Sequence, residues 1–119
     1  MNFNENLTPE QREAKILECA IETFGAEAQI VVAIEELSEL IKALTKFLRA
    51  DGSQTEAVLE NIREELADVS IMLNQLELIF GGYSDIECAK LERLISMLEE
   101  RGAVFDEAPM KPIETKDRL

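Results

Sequence analysis

Two short stretches of this chain carry more carboxylates than a helix face needs. "AIEELSELIKAL", residues 33 to 44, holds Glu35, Glu36 and Glu39. "NIREELADVSIML", residues 61 to 73, holds Glu64, Glu65 and Asp68. Glu36 and Glu39 stand at i, i+3, as do Glu65 and Asp68, so each pair projects from one side of a helix. Carboxylates gathered at one place repel unless protons or a cation relieve them. All-oxygen ligation selects a hard ion such as Mg²⁺, Mn²⁺ or Ca²⁺. A di-iron site in a helical bundle would want Glu-x-x-His on two helices, and the chain has no histidine.

Whether the two pairs meet depends on the elements that carry them. Gly52 lies between the two stretches and reads as a turn. Folding the chain about it sets residues at equal distance from the turn side by side. Glu36 lies 16 residues before Gly52 and Asp68 lies 16 after it. Glu39 and Glu65 stand 13 residues to either side. All four carboxylates then share one level, roughly 20–24 Å from the turn at ~1.5 Å per residue. Their stripes run through Val32 and Ala43 on one helix and through Val58, Asn61, Met72, Gln75 and Ile79 on the other, mostly apolar surroundings that suggest partial burial. Acids are also common on solvated helix faces, and periodicity alone leaves both readings open. Glu56, Glu60 and Glu64 share an outer stripe expected to be solvated. Glu35 lies on the flank beside Glu39 and is compatible with either role.

The surrounding elements are read from start and stop signals. "TPEQ" offers Thr8 as N-cap, Pro9 at the first helical position and Gln11 completing a capping box. The first helix is expected over about 9–24, burying Ile16, Leu17, Ala20 and Phe24, with Gly25 as the break. The second is expected over about 26–50, with an apolar stripe of Ile30, Ile34, Leu37, Ile41, Leu44 and Leu48. Lys42, Lys46 and Arg49 in its last turns read as charge that complements the helix dipole. Ser53 and Glu56 suggest a second capping box. The third helix, about 54–80, has the stripe Leu59, Ile62, Leu66, Val69, Leu73, Leu76 and Phe80. "SDIE" opens a fourth, about 84–101, with Leu91, Leu94, Ile95 and Leu98 inward and Gly102 as its stop.

No segment alternates like a strand. The fold class is therefore all-α, an antiparallel four-helix protomer over residues 1–102, followed by a flexible or partner-docked tail over 103–119. Ile71, Met72, Leu78 and Ile79 fall outside the third helix's main stripe, so that helix wants cover on several faces. A homodimer at least is expected on that ground.

Composition narrows the class further. The chain has 119 residues, 46% of them hydrophobic, which suits one ordered domain. Twelve basic residues face 25 acidic ones, a net charge of −13. Such a surface repels nucleic acid and anionic membranes, so neither is an expected partner. Cys19 and Cys88 have no ligand spacing and read as reduced core thiols of a cytoplasmic protein. The opening "MNFNENLTPEQ" is polar and unlike a signal peptide. No apolar run approaches the ~20 residues of a membrane span.

"EELSE" followed by "ELAD" resembles the Glu-Glu-x-x-Glu … Glu-x-x-Asp signature of the MazG-like, all-α nucleoside triphosphate pyrophosphohydrolases. The 25 residues between Glu39 and Glu65 match its spacing. The flanking "ELADVSIMLNQLELIFG" and "KLERL" look most like short phage- or prophage-type members, and the resemblance covers about residues 26–100. It implies a homodimer or homotetramer that hydrolyses a (deoxy)nucleoside triphosphate to the monophosphate and pyrophosphate with Mg²⁺, or Mn²⁺ in its place. Residue by residue, Glu36, Glu39, Glu65 and Asp68 match the metal ligands. Glu35 matches the leading Glu that positions or activates water, and Glu36 shares the catalytic role. Lys90 and Arg93, on the last helix, are loosely matched candidates for the phosphates. The alternatives are a related phosphoribosyl-nucleotide pyrophosphohydrolase and an acidic helical module that binds partners without catalysis.

Overall fold

The computed structural model describes residues 6–49 and 55–113. Its four helices are α1 (Pro9–Phe24), α2 (Ala26–Arg49), α3 (Glu56–Phe80) and α4 (Ser84–Glu100). Among the described residues there is no strand. The turn residues Gly52 and Ser53 lie outside the described residues.

The helix ends follow local chemistry. The Thr8 hydroxyl oxygen accepts from the Gln11 amide at 3.1 Å, and the Gln11 side chain accepts from the Thr8 amide at 3.0 Å. That reciprocal cap, with Pro9 at the first position, fixes the start of α1; a cap of this kind contributes about 1 kcal/mol. Gly25 ends α1 at φ 89° and Gly81 ends α3 at φ 102°, conformations that side chains with a Cβ rarely adopt. The start of α3 differs from expectation. Thr55, not Ser53, is its N-cap, accepting from the Val58 amide at 3.3 Å. Ser84 is the first helical residue of α4, and Tyr83 before it supplies no side-chain cap.

Two compact units result, divided after Gly81. In the first, α2 and α3 pack on each other most extensively and α1 lies against both. Six residues join helices of 24 and 25 residues, so contact along their length requires an antiparallel pair. Ala33 and Ala43 on α2, 1% and 3% exposed, and Val69 on α3 are the buried apolar residues of the pair. Leu17 is the buried residue of α1, and Asn74 on α3 donates to the Glu13 carboxylate on α1 at 2.7 Å. The second unit holds α4 and the segment to Ile113; in it Ile95 and Leu98 are half-buried.

The face that packs is not the one the large apolar residues mark. On α2 the buried side runs through Gln29, Ala33 and Ala43, with Glu36, Leu40 and Phe47 half-buried. Ile34, Ile41 and Leu48 are 58%, 64% and 80% exposed, and Leu37 and Leu44 are exposed with them. On α3, Leu66, Leu73 and Phe80 of the expected stripe are exposed, as are Phe24 on α1 and Leu91 and Leu94 on α4. Small side chains occupy the packed side of α2, and the heptad of bulky residues is turned outward. Cys88 is exposed and Cys19 half-buried, both free, so the expectation of two core thiols fails for Cys88. No helix is long and apolar enough to cross a membrane among the described residues.

Candidate metal centre

The packed side of α2 brings Glu36 to α3 at the level of Glu65 and Asp68. One carboxylate oxygen from each of the three lies within 4.8 Å of the others. Glu36 and Glu65 are half-buried between the helices, and Asp68 sits at the exposed edge. The Glu65 Oε2 is fully covered and has no hydrogen-bond partner. A buried carboxylate oxygen ordinarily has one, because leaving it without costs its hydration.

Electrostatics mark the same residues. Burial first, then the charges of Asp68 and Glu65, raise the Glu36 carboxyl above its ordinary range. Its hydrogen bond with Asp68 and the Glu39 charge push the same way. Glu65 is raised by burial first, then by Asp68, Glu39 and Glu64. In each case every contribution disfavours the ionised form, and no neighbouring cation offsets it.

Glu39 stands apart from this cluster. Its carboxylate accepts from the Lys42 ammonium at 3.2 Å, in an exposed i, i+3 pair along α2. It remains close enough for its charge to raise both Glu36 and Glu65. Three of the four carboxylates expected at one level therefore meet, and the fourth is held one turn away by a lysine. Glu35 is exposed, as are Glu56, Glu60 and Glu64. Lys90 and Arg93 are exposed on α4, in the second unit.

No protein-family model, curated protein or solved structure matches this chain.

The donor set fits a hard divalent cation. It offers oxygen alone, from anionic groups, at a place where negative charge is unrelieved. The three oxygens, all within 4.8 Å of one another, are near enough to share one such ion.

Helices α2 and α3 each bury a glutamine as well. Gln29 and Gln75 are both buried, Gln75 to 1% exposure with its Oε1 unpartnered. Each lies 23 residues from Gly52 in the sequence, the same symmetry that pairs Glu36 with Asp68. Sequence reasoning placed Gln75 on the carboxylate stripe and passed over Gln29. The equal-distance rule was the signal that picks it out.

Proposed function

We propose that this chain is a MazG-like pyrophosphohydrolase that cleaves a (deoxy)nucleoside triphosphate to the monophosphate and pyrophosphate. The observation that carries the reading is the covered, unpartnered Glu65 Oε2 beside Glu36 and Asp68. A cluster that pushes its own carboxyls toward the protonated form is prepared for a cation. The "EELSE … ELAD" pattern on α2 and α3 supports the same reading.

Glu36, Glu65 and Asp68 would hold Mg²⁺, with Glu39 joining them once released from Lys42. Bound there, the ion supplies charge neutralisation for the triphosphate and acidifies water. The chain's residues do the rest. Glu35, exposed and next to Glu36 in sequence, orients the attacking water and takes its proton. Water adds to the α-phosphorus, the bond to the bridging oxygen breaks, and pyrophosphate leaves with that electron pair. No covalent intermediate is needed, which suits a chain without histidine. A protein of net charge −13 accepts a polyanion in this scheme only as its metal complex.

The working unit in this reading is a homo-oligomer. Ile34, Ile41 and Leu48 line one side of α2, and an exposed apolar stripe of that length is characteristic of an interface. Only Leu17, Ala33, Ala43 and Val69 are fully buried apolar residues among those described, a small core for four helices. A second reading, an acidic partner-binding module without catalysis, is favoured by the exposure of Glu39 and Asp68. Incubation with a panel of nucleoside triphosphates and Mg²⁺ separates the two. Release of pyrophosphate supports the enzyme, and absence of turnover from every triphosphate rejects it.

A further inference from the structure

The outward side of α2 is a heptad seam. Ile30, Ile34, Leu37, Ile41, Leu44 and Leu48 follow one another at spacings of four, three, four, three and four, the alternation of a and d positions. The five from Ile34 to Leu48 are exposed, and Ile30 is half-buried. The charges of the helix divide along the same length. Its exposed acids, Glu27, Glu35 and Glu39, precede its exposed cations, Lys42, Lys46 and Arg49.

That division suits a second copy of α2 running the other way. A parallel copy would set acid beside acid and cation beside cation, which is costly. An antiparallel copy sets the acidic part of each helix beside the basic part of the other, and opposes the two helix dipoles. The seam fits the same direction. With a two-fold axis at the level of Glu39, Ile34 stands level with the partner's Leu44, Leu37 with the partner's Ile41, and Ile30 with the partner's Leu48. Every a position then meets a d position, and one patch serves both copies. Glu35 and Lys42 are seven residues apart and so lie on one flank of the seam. Like flanks meet in an antiparallel pair, and Glu35 comes within one residue of the level of the partner's Lys42.

We propose that α2 is the seam of an antiparallel two-fold dimer, and that the second copy completes the metal site. Within one copy, Lys42 holds the Glu39 carboxylate at 3.2 Å, in an exposed pair of the kind that contributes little and is easily exchanged. The partner's Glu35 draws Lys42 away, and Glu39 is left for the ion on Glu36, Glu65 and Asp68. The seam stands on the apolar and charge pattern of α2 alone. The release of Glu39 rests on the pyrophosphohydrolase reading, which requires the cation.

Disulfide trapping tests the direction. Both free cysteines are first replaced, Cys19→Ser and Cys88→Ser. Ile34→Cys and Leu44→Cys are then made separately in that background, with tags of different mass, and circular dichroism checks that each keeps its helices. Oxidation of the mixture should give the mixed disulfide, and either protein alone should give little. Trapping of either alone as fast as the mixture means a parallel pair and overturns the proposal, and so does the absence of any trapped pair. Charge reversal gives a second readout. Lys42→Glu should weaken the dimer at least ~10-fold in sedimentation, and Glu35→Lys/Lys42→Glu should recover it. A dimer indifferent to Lys42→Glu, or not recovered in the double variant, also overturns the proposal. Calorimetry with Mn²⁺ tests the site: the wild type should bind several-fold more tightly than monomeric Ile34→Asp, and equal affinity removes the partner from the site. A trapped antiparallel pair that hydrolyses no nucleotide keeps the seam and rejects the enzyme. Pyrophosphate release by a wild type that is monomeric throughout keeps the enzyme and rejects the seam.

Discussion

Glu36 on α2 and Asp68 on α3 face each other across the helix pair, with carboxylate oxygens within 4.8 Å. Burial first, then the Asp68 charge, raises the Glu36 carboxyl, and Glu65 beside them leaves one oxygen covered and unpartnered. Two helices have been packed together around a charge they do not themselves balance. Without a cation, that arrangement works against the fold.

Removing one of the charges should therefore stabilise the metal-free protein. Glu65→Gln keeps the shape of the side chain and discards its charge. Its melting temperature in EDTA should exceed that of the wild type, and added Mg²⁺ should raise it little. A variant that melts below the wild type in EDTA would show that Glu65 is well accommodated as an anion.

The same carboxyls set a pH dependence. Glu36 and Glu65 have folded pKa values raised above the ordinary 4.5, so between the ordinary and the raised values the folded chain binds more protons than the unfolded one. Their contribution to stability is then fully present below about pH 4.5 and lost as pH rises through the raised values. Urea midpoints measured in EDTA from pH 4.5 to 8 should fall for the wild type and fall less for Glu36→Gln/Glu65→Gln. Saturating Mg²⁺ should flatten the wild-type curve.

Gln75 offers a test free of charge. Its Oε1 is buried without a partner, and leucine fills a similar volume. Gln75→Leu should stabilise the chain by about 1 kcal/mol, read from chemical denaturation. A loss of stability instead would reveal a polar partner for the amide in the working protein.

The outward stripe of α2 predicts association. Sedimentation should find the wild type as a dimer or larger. Ile34→Asp, at a position 58% exposed in the protomer, should shift it toward monomer while circular dichroism stays unchanged. A wild type that sediments as a monomer at all concentrations would contradict the oligomeric reading.

The helix ends were legible in the sequence because they are local. Thr8, Pro9, Gln11 and Gly25 settle the limits of α1 among themselves. The carboxylate level was legible because symmetry about a turn constrains a hairpin whatever packs around it. The packed face was not legible. Periodicity marks Ile34, Ile41 and Leu48 as one apolar side of α2, but it does not say whether the cover comes from the same chain. The buried side runs instead through Ala33 and Ala43, which a search for large residues overlooks. Glu39 escaped for another reason. Its competitor, Lys42, stands on its own helix, and counting across the turn does not see it.

The most direct measurement is the melting temperature of the wild type with and without millimolar Mg²⁺, alongside pyrophosphate release from a triphosphate panel. A cation that binds only the folded site must raise the melting temperature. The account predicts that rise, its loss in Asp68→Asn, and Mg²⁺-dependent pyrophosphate release in the wild type alone. A melting curve unmoved by Mg²⁺ or Mn²⁺, with no triphosphate turned over, would contradict it.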